Sequence, residues 1–203
     1  VGPANPLAAT IGERVMMRRC LALSLAFLTF GCGNNNPQVE IVTNKGTIKA
    51  ELFERQAPIT VKNFLDYVDG KHYDGTIFHR VIYSFMIQGG GFKPGMEREE
   101  PTREPIKNES SNGLKNQTGT LAMARTGDPH SATAQFFINV VDNPFLDRAN
   151  AQDGWGYAVF GQVTEGMDIV NKIRRVRTQT VKGHENVPIE DVVIESIRRI
   201  EKK

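Results

Sequence analysis

Residues 78–91 read FHRVIYSFMIQGGG and residues 135–140 read QFFINV, two runs of β-branched and aromatic residues with polar groups set into them. Successive residues of a strand face opposite sides. In the second run Phe136, Ile138 and Val140 therefore point one way and suit a core, while Gln135 and Phe137 point the other. In the first run the same count puts Arg80 on a face with Phe78, and Met86 on a face with Gln88. An amide and an aromatic ring on one face suit a shallow peptide groove with an apolar pocket.

Outward from these runs the chain continues to read as short strands. Residues 39–43 and 47–53 flank the turn cluster Asn44, Lys45 and Gly46, with Ile48, Ala50 and Leu52 alternating on one face, which predicts a hairpin. Residues 76–82, 85–88, 120–124, 135–140, 158–163 and 192–200 are further strand candidates. Thr60 is a fair N-cap for a helix carrying Val61, Phe64, Leu65 and Val68 and stopped by Asp69 and Gly70. A second helix begins after Gly166, with Ile169, Val170, Ile173 and Val176 on its apolar stripe. Many short strands with only two helices predict an antiparallel sandwich or a closed barrel. Residues 93–107, KPGMEREEPTREPIK, read as a solvated loop.

The 203 residues suit one domain with appendages, and 39% hydrophobic with 24% charged residues excludes a disordered chain. The net charge of +2 arises before Cys32, where Arg14, Arg18 and Arg19 outnumber Glu13; the remainder carries 22 cations and 22 anions. Nothing in that balance seeks nucleic acid. Met16, Met17, Arg18 and Arg19 precede the apolar run CLALSLAFLTFG, shorter than the roughly 20 residues that span a bilayer and so read as an export signal. Residues 1–15 lack periodicity and are expected to lie upstream of the true start.

Two ends to that leader stay open. Residues 28–32, LTFGC, have the small residue before Cys32 that a lipid-attachment site needs, and Gly31 with Gly33 would also serve an ordinary signal peptidase. The expected organisation is a leader over residues 1–32, a flexible tether over 33–38 and a domain over 39–203. Both cysteines, Cys20 and Cys32, fall in the leader, which removes thiolate chemistry from the folded part. His72, His79, His130 and His184 lack metal-ligand spacing, and QGGG at residues 88–91 lacks the Lys-Ser or Lys-Thr of a phosphate loop. No metal, nucleotide or organic cofactor is implied.

FHRVIYSFMIQGG, GTLAMAR (residues 119–125), SATAQFFINV (residues 131–140) and GYAVFGQV (residues 156–163) together resemble the cyclophilin family of peptidyl-prolyl isomerases. The similarity spans residues 39–200 and is greatest to bacterial periplasmic cyclophilins, in keeping with the leader. It implies a closed eight-stranded antiparallel barrel capped by two α-helices. The family's catalytic residues carry over to Arg80, Gln88 and Gln135, and its substrate-binding residues to Phe85, Met86, Ala124, Arg125, Phe137, Phe145, Leu146 and Tyr157.

Three positions depart from the commonest eukaryotic pattern: Arg125 replaces an Asn, Phe145 a Trp and Tyr157 a His. At Arg125 the family uses the backbone, so a changed side chain should be tolerated. Phe145 lacks the indole N–H used towards cyclosporin, so weak binding of that drug is expected. The partners implied are proline-containing unfolded or partly folded clients, met by a monomer in the cell envelope or periplasm, with membrane contact only through a lipid on Cys32. A second class of function fits the same groove, a chaperone that binds proline segments without essential turnover.

Overall fold

A computed structural model describes residues 36–201; the leader, Cys20 and Cys32 lie outside the described residues. β1 (Gln38–Thr43) and β2 (Gly46–Leu52) form the expected hairpin, in register from Gln38 opposite Glu51 to Thr43 opposite Gly46. The domain takes hold of the chain before residue 39. Asn36 is buried and its amide donates to Glu51 Oε1 at 2.6 Å, while the Pro37 carbonyl accepts from the Leu52 N–H at 2.8 Å. The inner end of the expected tether is therefore anchored, because a buried amide requires a fixed partner.

α1 (Pro58–Asp69) starts earlier than Thr60, with Ala57 as its N-cap and Pro58 in its first turn. Ala57 has no side-chain oxygen to offer the free N–H groups. Glu109 supplies one from a distant loop. Its Oε1 accepts from the Ile59 N–H at 3.2 Å, and its Oε2 accepts from the Thr60 N–H at 2.8 Å and the Thr60 hydroxyl at 2.7 Å. Thr60 is thus a buried residue inside the helix rather than its cap.

The remaining strands are β3 (Arg80–Ile82), β4 (Met86–Gly89), β5 (Phe92–Lys93), β6 (Glu97–Arg98), β7 (Thr120–Met123), β8 (Phe136–Asn139), β9 (Val159–Glu165), β10 (Thr178–Val181), β11 (His184–Pro188) and β12 (Ile194–Arg199), with α2 (Met167–Ile173) after β9. Eight of them form one antiparallel sheet in the order β12-β1-β2-β9-β7-β8-β4-β3. The expected closure is corrected: the sheet is an open half-barrel turning through 228°. Its edges approach only beside the short strand β3, through the isolated bridge between Ile77 and Val193 and bonds such as Phe78 N–H to Val192 O at 2.9 Å. Three residues of β3 cannot continue that contact into a ladder.

α1 fills the inner side of the sheet. Phe64 is fully buried with ring centroids of Phe160, Tyr73 and Phe136 at 5.1, 5.3 and 5.4 Å, and α2 adds Val170 and Ile173 to the same core. Phe78 also lies in this core, so it does not share a face with Arg80. The reason is that residues 78 and 79 precede β3, and strict alternation begins only at Arg80. The loop over residues 93–107 is likewise corrected in part. It carries β6 and places Met96 in a small buried cluster with Ile77 and Val187.

Replacing Glu109 by Ala should lower unfolding free energy by about 1–2 kcal/mol, the range for losing a helix cap, with Glu109→Gln recovering part of it. Urea denaturation at neutral pH reads the difference; an unchanged midpoint for Glu109→Ala would remove the cap from the account.

Candidate active site

Antiparallel partners share a face, and one row of partners crosses four strands. Arg80 of β3 lies opposite Gln88 of β4, Gln88 opposite Phe137 of β8, and Phe137 opposite Ala122 of β7. The next row, Val81, Ile87, Ile138 and Leu121, faces the core and is buried. The outer row is the floor of the site. Met86, Ala122, Phe137, Leu146 and Val159 form a buried cluster there, and Phe85, Ala124 and Tyr157 are partly buried against it.

Around this apolar patch stand the polar groups. Gln88 Nε2 donates to Gln135 Oε1 at 2.9 Å, joining the two amides. Arg80 is half-buried, its guanidinium carbon 5.9 Å from the centre of the Phe85 ring, and among the described residues it has no carboxylate at ion-pair distance. Burial pushes its neighbour His79 down to about 4, so that ring is uncharged near neutrality. Arg80 is left as the positive group aimed at the patch.

The structure brings all the sequence-derived site residues of the domain into this region, with unequal roles. Phe145 stands at the rim, 56% exposed, its ring 5.5 Å from that of Phe85. Tyr157 packs edge-on against Phe137 at 5.8 Å. Arg125 turns its side chain away. It donates to Gly156 O at 3.1 Å and Thr126 O at 2.9 Å, pairs with Asp153, and lies 4.5 Å over the Tyr157 ring. Asp153 also accepts from the Gly156 and Trp155 N–H groups, and these bonds with Arg125 hold its carboxyl down to about 2. The Arg125 side chain therefore fixes the loop that carries Tyr157. Trp155 packs between Arg148 and His130, away from the rim.

A buried polar network under the patch was not read from the sequence. Asn139 Nδ2 donates to Thr120 Oγ1 at 2.9 Å and Asn116 Oδ1 at 3.2 Å; Asn143 Nδ2 donates to Asn139 Oδ1 at 2.7 Å and to the Phe85 carbonyl at 2.9 Å. Asp147, also buried, accepts from the Asn116 N–H at 2.7 Å. These residues position Phe85 and the turn bearing Phe145 and Leu146. Only the placement of polar residues at strand-interior positions could have signalled them.

The family model described as "Cyclophilin type peptidyl-prolyl cis-trans isomerase/CLD" matches residues 38–199. The chain belongs to the cyclophilin family. Peptidyl-prolyl cis-trans isomerase B of Escherichia coli is 61% identical over 156 residues, 76% of this chain and 94% of the relative. The isomerase cyp18 of Streptomyces antibioticus is 59% identical over 161 residues, 79% and 96% of the two chains. Isomerase A of Dickeya dadantii is 46% identical over 193 residues, covering 95% of this chain and all of its own length. A Cryptosporidium parvum cyclophilin solved in the presence of the dipeptide Ala-Pro superposes with a TM-score of 0.69 at 29% identity, covering 81% of this chain and 99% of that one. This cyclophilin is a peptidyl-prolyl cis-trans isomerase, mainly β with two helices and an open half-barrel sheet.

Gly91 is the backbone condition for the amide pair, since a Cβ there would collide with Cδ and Nε2 of Gln135. Gly91→Ala should displace that amide and lower kcat/KM on a proline peptide by about fivefold, the worth of one neutral hydrogen bond. In a Gln135→Ala background the same change should cost little further, and equal losses in both backgrounds would separate Gly91 from Gln135.

Proposed function

We propose that Arg80 drives rotation about Xaa-Pro bonds by donating to the proline nitrogen as the bond twists. The barrier of about 18–20 kcal/mol comes from amide resonance. Twisting breaks that resonance and returns a lone pair to nitrogen, so a donor aimed there stabilises the twisted form more than either planar isomer. No covalent bond to the protein forms or breaks. The single observation that supports this reading is the unpaired Arg80 guanidinium beside a proline-sized apolar patch of Phe85, Met86, Phe137 and Leu146.

In this reading Gln135 orients Gln88 through their bond, and both amides, with the backbone at Ala124 and Arg125, hold the substrate main chain while its carbonyl swings. The charge of Arg80 is permanent, and His79 is already neutral at working pH. Turnover should then be flat between about pH 6 and 8.

The clients are proline-containing segments of exported proteins, and the enzyme acts as a monomer in the envelope or periplasm. Residues 1–32 serve as its leader, residues from 33 as its short tether, and Cys32 as a lipid-attachment site. The Dickeya dadantii match, covering 95% of the chain, extends into the residues before the domain. Cyclosporin binds weakly because Phe145 has no donor at the rim.

Arg80→Ala should lower kcat by about a hundredfold or more, as loss of a single transition-state donor does, with a smaller change in peptide affinity. Exchange NMR on a proline peptide reads both quantities, and equal isomerisation by variant and parent would sink the assignment. Phe145→Trp should tighten cyclosporin inhibition about tenfold, consistent with one regained hydrogen bond at the rim; an unchanged inhibition constant would place the weakness elsewhere.

A further inference from the structure

Arg80, Gln88 and Gln135 also wall a cavity of about 790 Å3. A single proline needs far less space, and volumes of this order hold a substantial ligand. Two small hairpins, β5–β6 and β10–β11, close its back. They are tied to each other by Lys182 Nζ, which donates to Gly95 O at 2.9 Å, and by the buried cluster of Ile77, Met96 and Val187.

The floor of the cavity is a run of rings. Phe92 lies between His79 and His184, with centroids at 4.7 and 5.1 Å. His79 is buried and its Nδ1 has no hydrogen-bond partner among the described residues. The polar lining comes from the Gln88 and Gln135 amides and Asn186, with the charged Arg98 and Glu185 beside them. Met96 and Asn186 both line the cavity with positive φ, 57° and 61°. Side chains rarely adopt that conformation, and residues held in it concentrate at functional sites.

We propose that this cavity is a second substrate subsite, which seats a ring-bearing side chain flanking the Xaa-Pro bond on the Arg80 side. It rests on the isomerase reading of Arg80, because Arg80 and Gln88 line the cavity and also border the proline patch, Arg80 beside the Phe85 ring and Gln88 opposite Phe137. The rings of Phe92 and His184 offer an edge-to-face or offset partner to an incoming ring. The amides of Gln88, Gln135 and Asn186 offer donors and acceptors to the main chain on either side of it. The substrate class is then an extended segment with an aromatic residue near its proline, rather than any isolated Xaa-Pro pair.

The test is a phenylalanine scan of blocked peptides carrying one Ala-Pro bond, with Phe placed singly at each of the flanking positions and Ala elsewhere. The quantity read is the ratio of kcat/KM for the Phe peptide to that for the Ala peptide, so a general loss of folding or turnover cancels. At one position the full chain should prefer Phe by about two- to tenfold, the range a ring contact supplies. His184→Ala should bring that ratio close to unity, and the amide resonances of Gly183 and Asn186 should move with the preferred peptide and not with the Ala peptide. A flat scan, or a preference that survives His184→Ala, overturns the subsite. Absence of turnover on every peptide would overturn the isomerase reading beneath it, and the subsite with it.

Discussion

Arg80, Gln88, Phe137 and Ala122 are successive partners across β3, β4, β8 and β7, so their side chains emerge on one face while Val81, Ile87, Ile138 and Leu121 emerge on the other. The inner row is held by burial against α1, where each large apolar side chain contributes about 1.5–3 kcal/mol. A slip of one residue in any of these strands would exchange the rows, exposing the core and burying a guanidinium. The energy that fixes the core therefore also fixes the outer face. Chemistry and stability share a register, not residues.

The outer face has a support of its own. Patches of rings alone would tolerate sliding, but Asn116, Asn139, Asn143 and Asp147 bind one another and the Phe85 carbonyl with directional bonds. A buried polar network is costly unless its members find partners, and that requirement leaves few arrangements. On the opposite flank Arg125 and Asp153 perform a similar task for the loop bearing Tyr157, in a more exposed setting. The apolar patch is thus gripped from two sides, while Arg80 at the edge strand keeps its charge unpaired.

The opening of the half-barrel has a structural counterpart. Because β3 and β12 meet only beside Ile77 and Val193, the chain around them is free to carry the two hairpins that build the second cavity. A continuous ladder would have used the same backbone groups. Edge strands invite unwanted pairing, and covering one with short hairpins limits that risk.

Much of this was legible in the residues themselves. The hairpin, both helices and the main strands follow from period-2 and period-3.6 patterns, and QFFINV declares its two faces because alternation is a covalent property of an extended chain. Arg80, Phe85, Met86, Gln88, Gln135 and Phe137 could be gathered only through the family's motifs, since each alone reads as an ordinary surface or core residue. Phe78 points into the core and not with Arg80 because residues 78 and 79 lie outside the strand, where alternation does not hold. The cap from Glu109, the asparagine network, the demand for glycine at residue 91 and the hairpins of β5–β6 and β10–β11 all depend on partners distant in the chain or on segments too short to show a period. Local pattern settles which way a side chain points; only the packed sheet decides what it meets there, because distance in space is set by the summed burial of many strands and not by neighbours in sequence.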